Sequence, residues 1–325
     1  MPSSRILCAL LLLAPVVSGA QSAVCSNDAD EVRRAALIGI MQMESSQIIP
    51  VIDKLLERKD ECSVSLRRQA VELLGRSREP ERLEIMLRVA RTDPSGVVRR
   101  QAVQSIAQVN TERSAALLDS IFFNATDTDV AEIALRGLAQ QTSPAARIAL
   151  RRVAESTTLA TELRVKAVNQ IGSSRRSPDD IQYLKDLYGK TNSQQLREGI
   201  LRGVSYQRTG ESMNWLLGVA RDKNSEIELR QVALRSAGQY SDKGSSFGLE
   251  IKDLLALYDE FAHQPEMQEQ LLDVLAQRPE SAATDKLLQI AGDEGNMTLR
   301  RRAIQRLTQR RDPRVRQFLL DIVSR

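Results

Sequence analysis

Histidine and aromatic residues are nearly absent from this chain of 325 residues. It contains one histidine, His263, three cysteines and only 3% aromatic residues. A single histidine excludes a histidine-rich metal site, because such sites recruit several imidazole ligands. Scarce aromatic residues and the lack of alternating apolar positions argue against a β fold. The net charge of +4 is small for this length and gives no general argument for a nucleic-acid partner. We therefore expect neither a cofactor nor bound nucleic acid.

What the sequence does contain is an internal repeat. The pattern at residues 66–75 returns at 98–107, 163–172 and 229–238. A small or aliphatic anchor residue recurs about every 33 residues, at Ala36, Ala70, Ala102, Ala134, Ala167, Ile200, Ala233, Leu271 and Ala303. A period of this size is typical of stacked supersecondary units and not of one globular core. The pattern predicts nine repeats.

The second repeat shows the expected structure of each unit. Residues 64–75 carry one apolar stripe at helical spacing, formed by Leu66, Ala70, Leu73 and Leu74. Pro80 is expected to begin a second helix, with glutamates near its positive end. Neither helix buries enough apolar area alone, so each pair must stack on its neighbours. The fold class is predicted to be all-α.

These repeats resemble a known family. Residues 93–103, Asp-Pro-Ser-Gly-Val-Val-Arg-Arg-Gln-Ala-Val, resemble the Asp-Pro…Val-Arg…Ala-Val signature of HEAT repeats in their short bacterial form, the type shared with phycobilin lyases. The resemblance covers about residues 28–325. It implies a single α-α superhelix (a HEAT-like solenoid) over residues 21–325, made of about nine helical hairpins. It also implies that first helices lie on the convex side and second helices on the concave side.

The resemblance assigns a structural role to one recurring residue type. Arginines near the start of the first helices would tie adjacent repeats to acids such as Asp93 and to backbone carbonyls: Arg67, Arg99, Arg164, Arg197, Arg230 and Arg300. The alternative is an anion-binding stripe. The regular recurrence of these arginines favours the structural role, because a residue that holds a repeated scaffold together recurs once in each repeat.

The first residues are expected to be an export signal. Arg5 precedes an apolar run from residue 6 to residue 17, and small residues follow at 18–20. This predicts cleavage after Ala20, or alternatively after Ala23, leaving no membrane-spanning segment. The run of about 12 residues is too short for an uncleaved anchor across a bilayer. The mature protein is predicted to be secreted or periplasmic.

Two cysteines remain after cleavage, Cys25 and Cys62. Export to an oxidising compartment favours a disulfide between them. Each lies shortly before a repeat anchor, so stacking would bring their turns together. The bond would stabilise the first repeat by about 3–4 kcal/mol. A redox pair is the disfavoured alternative, because no Cys-x-x-Cys motif occurs.

No motif in the sequence predicts catalysis. The residues at 244–248 satisfy Gly-x-Ser-x-Gly, but a nucleophile elbow needs a preceding strand and a histidine base. A few HEAT-like proteins are enzymes, such as deoxyhypusine hydroxylase with its paired His-Glu motifs, which this sequence lacks. Phycobilin lyase activity is also disfavoured, because of the export signal and the missing second subunit. We expect a non-catalytic protein, with an enzyme of unrecognised type as the remote alternative.

Aromatic residues mark one candidate binding surface. Most fall on predicted second helices, the elements expected to form the concave wall, and the longer spacing before Leu271 holds one more. The candidates for binding a protein or peptide are Tyr183, Tyr188, Trp215, Tyr258 and Phe247. Ordinary core packing is the alternative for Tyr183 and Trp215.

The C-terminal repeat suggests a second candidate surface. Residues 299–325 contain nine arginines and two aspartates. An anionic membrane surface or acidic protein could bind there, through Arg300, Arg301, Arg302, Arg306 and Arg310. The alternative is a polar cap on the last repeat. Taken together, the sequence predicts an exported scaffold that binds a protein or peptide along its concave face.

Signal cleavage is directly testable. Intact mass measured after expression in a secreting bacterial host should correspond to a chain that begins at Gln21. The variant Ala20→Arg should shift cleavage to the position after Ala23, because signal peptidase requires small residues before the cut. A mature protein that still begins at Met1 would contradict the prediction.

Overall fold

The computed structural model describes residues 27–40, 45–173, 179–239 and 249–324. Four predicted features lie outside these residues: the signal peptide, Cys25, Phe247 and the Gly-x-Ser-x-Gly segment at 244–248. Cys62 is described and half-buried. Because Cys25 is not described, the disulfide between them stays a prediction.

The described residues form one 3-10 helix, Glu61–Ser63, eighteen α-helices and no strand. The α-helices are α1 (Asn27–Ile40), α2 (Ser45–Leu56), α3 (Val64–Arg76), α4 (Arg82–Thr92), α5 (Gly96–Gln108), α6 (Glu112–Asn124), α7 (Thr128–Gln140), α8 (Pro144–Glu155), α9 (Thr161–Ser173), α10 (Asp179–Lys190), α11 (Gln194–Ser205), α12 (Gly210–Arg221), α13 (Ile227–Gly238), α14 (Ile251–Glu260), α15 (Pro265–Ala276), α16 (Ser281–Gly292), α17 (Met297–Leu307) and α18 (Pro313–Ser324). None of them is long and apolar enough to cross a membrane.

Helix starts are fixed by side chains that accept hydrogen bonds from the first turn. Thr111 and Thr209 form capping boxes before α6 and α12, with Ser114 and Ser212 as partners. Asp127 caps α7 in a similar way. The second helix of the repeat at Ala70 begins at Arg82 and not at Pro80 as predicted, because residues 80 and 81 form a turn.

The helices stack in two rows. Odd-numbered helices pack on the next odd-numbered helix, and even-numbered helices cover them on the other side. The core lies between the rows, and eight of the nine anchors, from Ala70 to Ala303, are fully buried. Ala36 is the exception: it is exposed, and Leu37 is buried instead. Within the described residues, the neighbour of α1 in the odd-numbered row is α3.

The two rows differ in how closely their helices approach one another. Over most of the described residues, consecutive odd-numbered helices approach more closely than consecutive even-numbered ones, with the reverse only between α6 and α9. That the second helices form the concave wall stays a prediction.

Glycine permits the closest approach within the odd-numbered row. A Cβ on Gly172 of α9 would overlap the backbone carbonyl of Gly203 on α11. A side chain at this position would therefore push the two helix backbones apart.

Substituting Gly172 with alanine tests this contact. We expect Gly172→Ala to lower the free energy of unfolding by about 1–3 kcal/mol, measured by urea denaturation, because the added methyl group forces α9 and α11 apart. Gly218→Ala is the matched control, since a Cβ on Gly218 of α12 meets nothing within 4 Å. The control should be neutral or stabilising by about 0.5–1 kcal/mol. Equal stability of the two variants would contradict close packing here.

Candidate functional site

The turns that lead from even-numbered to odd-numbered helices hold a ladder of arginines. At its start, Arg67 of α3 donates to both carboxylate oxygens of Asp93 over 2.9 and 3.0 Å, and both side chains are fully buried. The same guanidinium donates to the carbonyl oxygen of Asp60 over 2.8 Å and to the Ser63 hydroxyl. A buried charge needs such complete pairing, since breaking it costs about 3–5 kcal/mol.

The ladder continues along the chain with two kinds of partner. The first is a backbone carbonyl oxygen at the end of the preceding even-numbered helix, which accepts from the arginine Nε. The pairs are Arg164 with Ala154 over 3.0 Å, Arg230 with Ala220 over 3.0 Å, and Arg300 with Ala291 over 3.1 Å. The second is an acceptor in a turn. Arg99 reaches Asp127 over 2.9 Å, and Arg230 reaches Gln264. The structure thus gives five of the six arginines the tying role that the family resemblance implies. Arg197 is the exception: among the described residues no hydrogen bond of its side chain is seen, and its guanidinium lies over the Tyr188 ring.

Three of the predicted binding aromatics lie on consecutive helices of the even-numbered row. Tyr183 and Tyr188 lie on α10 and Trp215 on α12, and all three are half-buried. The rings of Tyr188 and Trp215 meet edge to face with centroids 5.3 Å apart. Tyr258 on α14 belongs to the core, with 8% of its surface exposed. The structure therefore brings two of the four described candidates into contact, with Tyr183 on the same helix as Tyr188.

Cations lie over these rings. The guanidinium of Arg151 lies 4.4 Å from the Tyr183 ring centroid, and that of Arg197 lies 5.5 Å from the Tyr188 centroid. Such contacts stabilise by about 0.5–1 kcal/mol where the site is exposed. We call Tyr183, Tyr188, Trp215, Arg151 and Arg197 the aromatic–cation surface. It presents partly exposed rings beside positive charge.

A cavity of about 530 Å³ adjoins this surface. Its lining includes Glu155, Arg164, Tyr183, Asp186, Lys190 and Thr191. Burial, followed by the nearby Glu155 carboxylate, raises the pKa of Tyr183 well above its ordinary value. The tyrosine therefore stays protonated, and its hydroxyl donates to the carbonyl oxygen of Arg151 over 3.2 Å. We call this space the α8–α10 cavity.

Sequence analysis missed most of the cavity residues. Glu155, Asp186 and Lys190 are ordinary charged residues near the ends of amphipathic helices, and nothing in the sequence distinguishes them. Only stacking brings the ends of α8 and α10 together beside the start of α9. Arg164 was recognised as a ladder residue, but not as part of a cavity.

The structure gives four of the five C-terminal candidate arginines partners within the chain. Arg302 and Arg306 bind the Asp273 carboxylate over 2.8 Å, Arg300 donates to Ala291, and Arg310 donates to the carbonyl oxygens of Leu275 and Arg278 over 2.7 Å. These contacts connect the last repeat to the one before it. Arg301 is exposed, and no contact within the described residues is seen for its side chain.

The outer face of the last helix differs from the expected polar cap. On α18, Leu320 and Val323 are 59% and 86% exposed. They line a shallow cavity of about 800 Å³ together with Arg311 and Arg316. The end of the solenoid is thus apolar in part, and the expectation of a polar outer face is wrong at these two positions.

Asp273 holds the C-terminal arginines in place. Burial by itself raises the pKa of the Asp273 carboxyl, but hydrogen bonds from Arg302 and Arg306 outweigh burial and keep the pKa below its ordinary value of 3.8. A carboxyl with a lowered pKa in the folded state stabilises the protein above its unfolded-state pKa. That stabilisation disappears as the pH falls through the folded-state pKa.

Asp273→Asn tests this arrangement. We expect the variant to lose about 1–2 kcal/mol of unfolding free energy at about pH 7, because two guanidinium groups lose a charged acceptor. The difference from wild type should shrink below about pH 4 and vanish in stronger acid. Asp321→Asn is the matched control, because Asp321 on α18 accepts only from Gln317. A difference that persists in acid would contradict the role of the charge.

Within the described ranges, no group of three histidine, cysteine, aspartate or glutamate side chains is arranged to hold a metal ion. His263 is exposed in the turn between α14 and α15. The arrangement of the described polar groups is suited to contacts with another chain, through rings, guanidinium groups and one charged cavity.

Comparisons with known proteins give one family match and one similar solved structure. Residues 22–107 match the family model described as HEAT repeats. No curated protein sequence matches the chain. Among solved structures, the complex of CpcE and CpcF of phycocyanin lyase from Nostoc sp. is similar at 17% identity and a TM-score of 0.32, covering 72% of this chain and 91% of the other. Beyond the matched residues, paired helices continue as far as Ser324.

Proposed function

We propose that this protein is a non-catalytic scaffold that binds a segment of another protein at the aromatic–cation surface. The proposal depends on three half-buried rings on the consecutive even-numbered helices α10 and α12, those of Tyr183, Tyr188 and Trp215, with Tyr188 against Trp215. Arg151 and Arg197 lie over the two tyrosine rings. Aromatic and arginine side chains provide much of the energy at protein interfaces. A HEAT solenoid supplies the rigid, extended surface on which such contacts are displayed.

The three rings of the aromatic–cation surface lie on even-numbered helices, the second helices of their repeats. The odd-numbered row presents exposed polar side chains such as Gln104 on α5 and Arg136 on α7. Rings in contact with cations are better suited to hold a peptide than such polar side chains are, because the rings exclude water over a larger area.

The proposal places this scaffold outside the cytoplasm. Its support is the N-terminal signal pattern with small residues at 18–20, together with the two cysteines that remain after cleavage. The alternative of an anionic-surface binder has less support. Arg300, Arg302, Arg306 and Arg310 are already engaged with groups of the same chain.

A peptide selection with photo-crosslinking tests the proposed surface. Random peptides displayed on phage are selected on the immobilised full chain. The selected peptides are then crosslinked to variants with a photoreactive phenylalanine at Gln182 or Asn214, exposed neighbours of Tyr183 and Trp215. We expect crosslinks at both positions.

The matched control has the same photoreactive residue at Gln104, which is exposed on α5 in the odd-numbered row. We expect no crosslink there. Crosslinks confined to Gln104 would move the binding face to the odd-numbered row. Failure to enrich any peptide above an unrelated immobilised protein would count against a peptide-binding scaffold altogether.

A further inference from the structure

At Arg164 the arginine ladder meets no carboxylate. Arg67 finds the Asp93 carboxylate in the α4–α5 turn, and Arg99 finds Asp127 in the α6–α7 turn. The next turn that Arg164 faces is the α10–α11 turn, and this turn contains Thr191, Asn192 and Ser193, none of which carries charge. Arg164 therefore meets no carboxylate where its predecessors meet one.

Thr191 occupies the position that Asp93 holds in its own turn. Each is the first residue after an even-numbered helix, and each backbone N–H bonds to the carbonyl four residues earlier, over 3.0 Å for Asp93 and 3.1 Å for Thr191. The Asp93 carboxylate accepts from the N–H of Ser95, and the Thr191 hydroxyl accepts from that of Ser193. Both side chains are buried. The two turns are thus equivalent except for the missing carboxylate.

The α8–α10 cavity lies at this missing carboxylate. Both Arg164 and Thr191 line it. Nε of Arg164 is satisfied by the Ala154 carbonyl oxygen over 3.0 Å. For its two terminal nitrogens the described part of the chain shows no acceptor, whereas the corresponding nitrogens of Arg67 and Arg99 bind aspartates. The half-buried guanidinium of Arg164 therefore offers two donors to the cavity.

The other charged residues that line the α8–α10 cavity indicate which kind of ligand would bind there. Lys190 adds a second cation, while Glu155 and Asp186 add two acids on the same lining. Both acids would repel a ligand that carries only negative charge. The lining therefore favours a ligand in which a carboxylate lies next to a cation. An aspartate or glutamate side chain beside a lysine or arginine satisfies both signs of charge.

We propose that the α8–α10 cavity binds an acidic side chain of a partner protein, next to a basic one, and that this carboxylate takes the place of the absent ladder aspartate on Arg164. The inference rests on the proposed protein-binding function and identifies the class of segment bound. The Tyr183 ring forms one wall of the cavity and connects it to the aromatic–cation surface. A bidentate carboxylate–guanidinium pair is the strongest geometry available to such a site.

A pair of dipeptides tests the inference without an identified partner. The probes are N-acetyl-Asp-Lys-amide and N-acetyl-Asn-Lys-amide, titrated into the full chain while the backbone amide signals of Asn192 and Ser193 are followed by NMR. We expect saturable shifts with the aspartyl probe. The asparaginyl probe should bind at least about tenfold more weakly, because the charged pair is lost.

Thr191→Asp is the decisive variant. It restores the ladder carboxylate, so it should keep or raise the urea midpoint and abolish binding of the aspartyl probe. Arg164→Gln should also abolish binding, while Arg136→Gln removes an exposed arginine outside the cavity and should leave it unchanged. The inference would be overturned if the aspartyl probe still bound Thr191→Asp, or if Thr191→Asp lowered the urea midpoint. It would also be overturned if both probes bound equally well, or if neither gave a saturable shift.

These outcomes separate the two proposals. If peptides crosslink at Gln182 and Asn214 but Thr191→Asp does not weaken the aspartyl probe, the scaffold function stands and the carboxylate site is rejected. If no peptide is enriched, the scaffold function itself fails, whatever the dipeptides show.

Discussion

Close packing between consecutive odd-numbered helices is the constraint on which this structure depends. The anchors from Ala70 to Ala303 are fully buried, and six of the eight are alanines that let neighbouring helices approach. At Gly172 even a methyl group is excluded by the Gly203 backbone. The larger side chains, including most aromatic residues, are accommodated on the more widely spaced row.

The arginine ladder supplies hydrogen-bond donors to carbonyl groups at the helix ends. Each even-numbered helix ends with carbonyl groups that lack partners inside the helix. Arg164, Arg230 and Arg300 satisfy one of them in successive parts of the chain. The remaining nitrogens of each guanidinium then depend on what the next turn supplies. With an aspartate the arginine is structural, and with a threonine it lines a cavity. One scaffold element thus produces both a buried ion pair and a candidate binding site.

Much of the fold could be predicted from particular residues. The stripe Leu66, Ala70, Leu73 and Leu74 predicted α3 almost to its boundaries, because helical periodicity is a local property. The start of α4 was misplaced by two residues, since a proline in a turn and a proline in the first helical position look alike in sequence. The burial of Leu37 instead of Ala36 could not be predicted, because it depends on how α1 lies against α3 and not on the local repeat pattern.

The sequence by itself determined the class of fold, the repeat length, the identity of the ladder arginines and the absence of a histidine-rich metal site. These follow from local periodicity and from residue counts, which no packing arrangement can change. Only the tertiary structure decided which row of helices is more closely packed, which C-terminal arginines are already paired, and that Arg164, Thr191 and Lys190 share one cavity. Those properties depend on distances between residues far apart in the chain, and such distances are set by how closely one helix lies against the next.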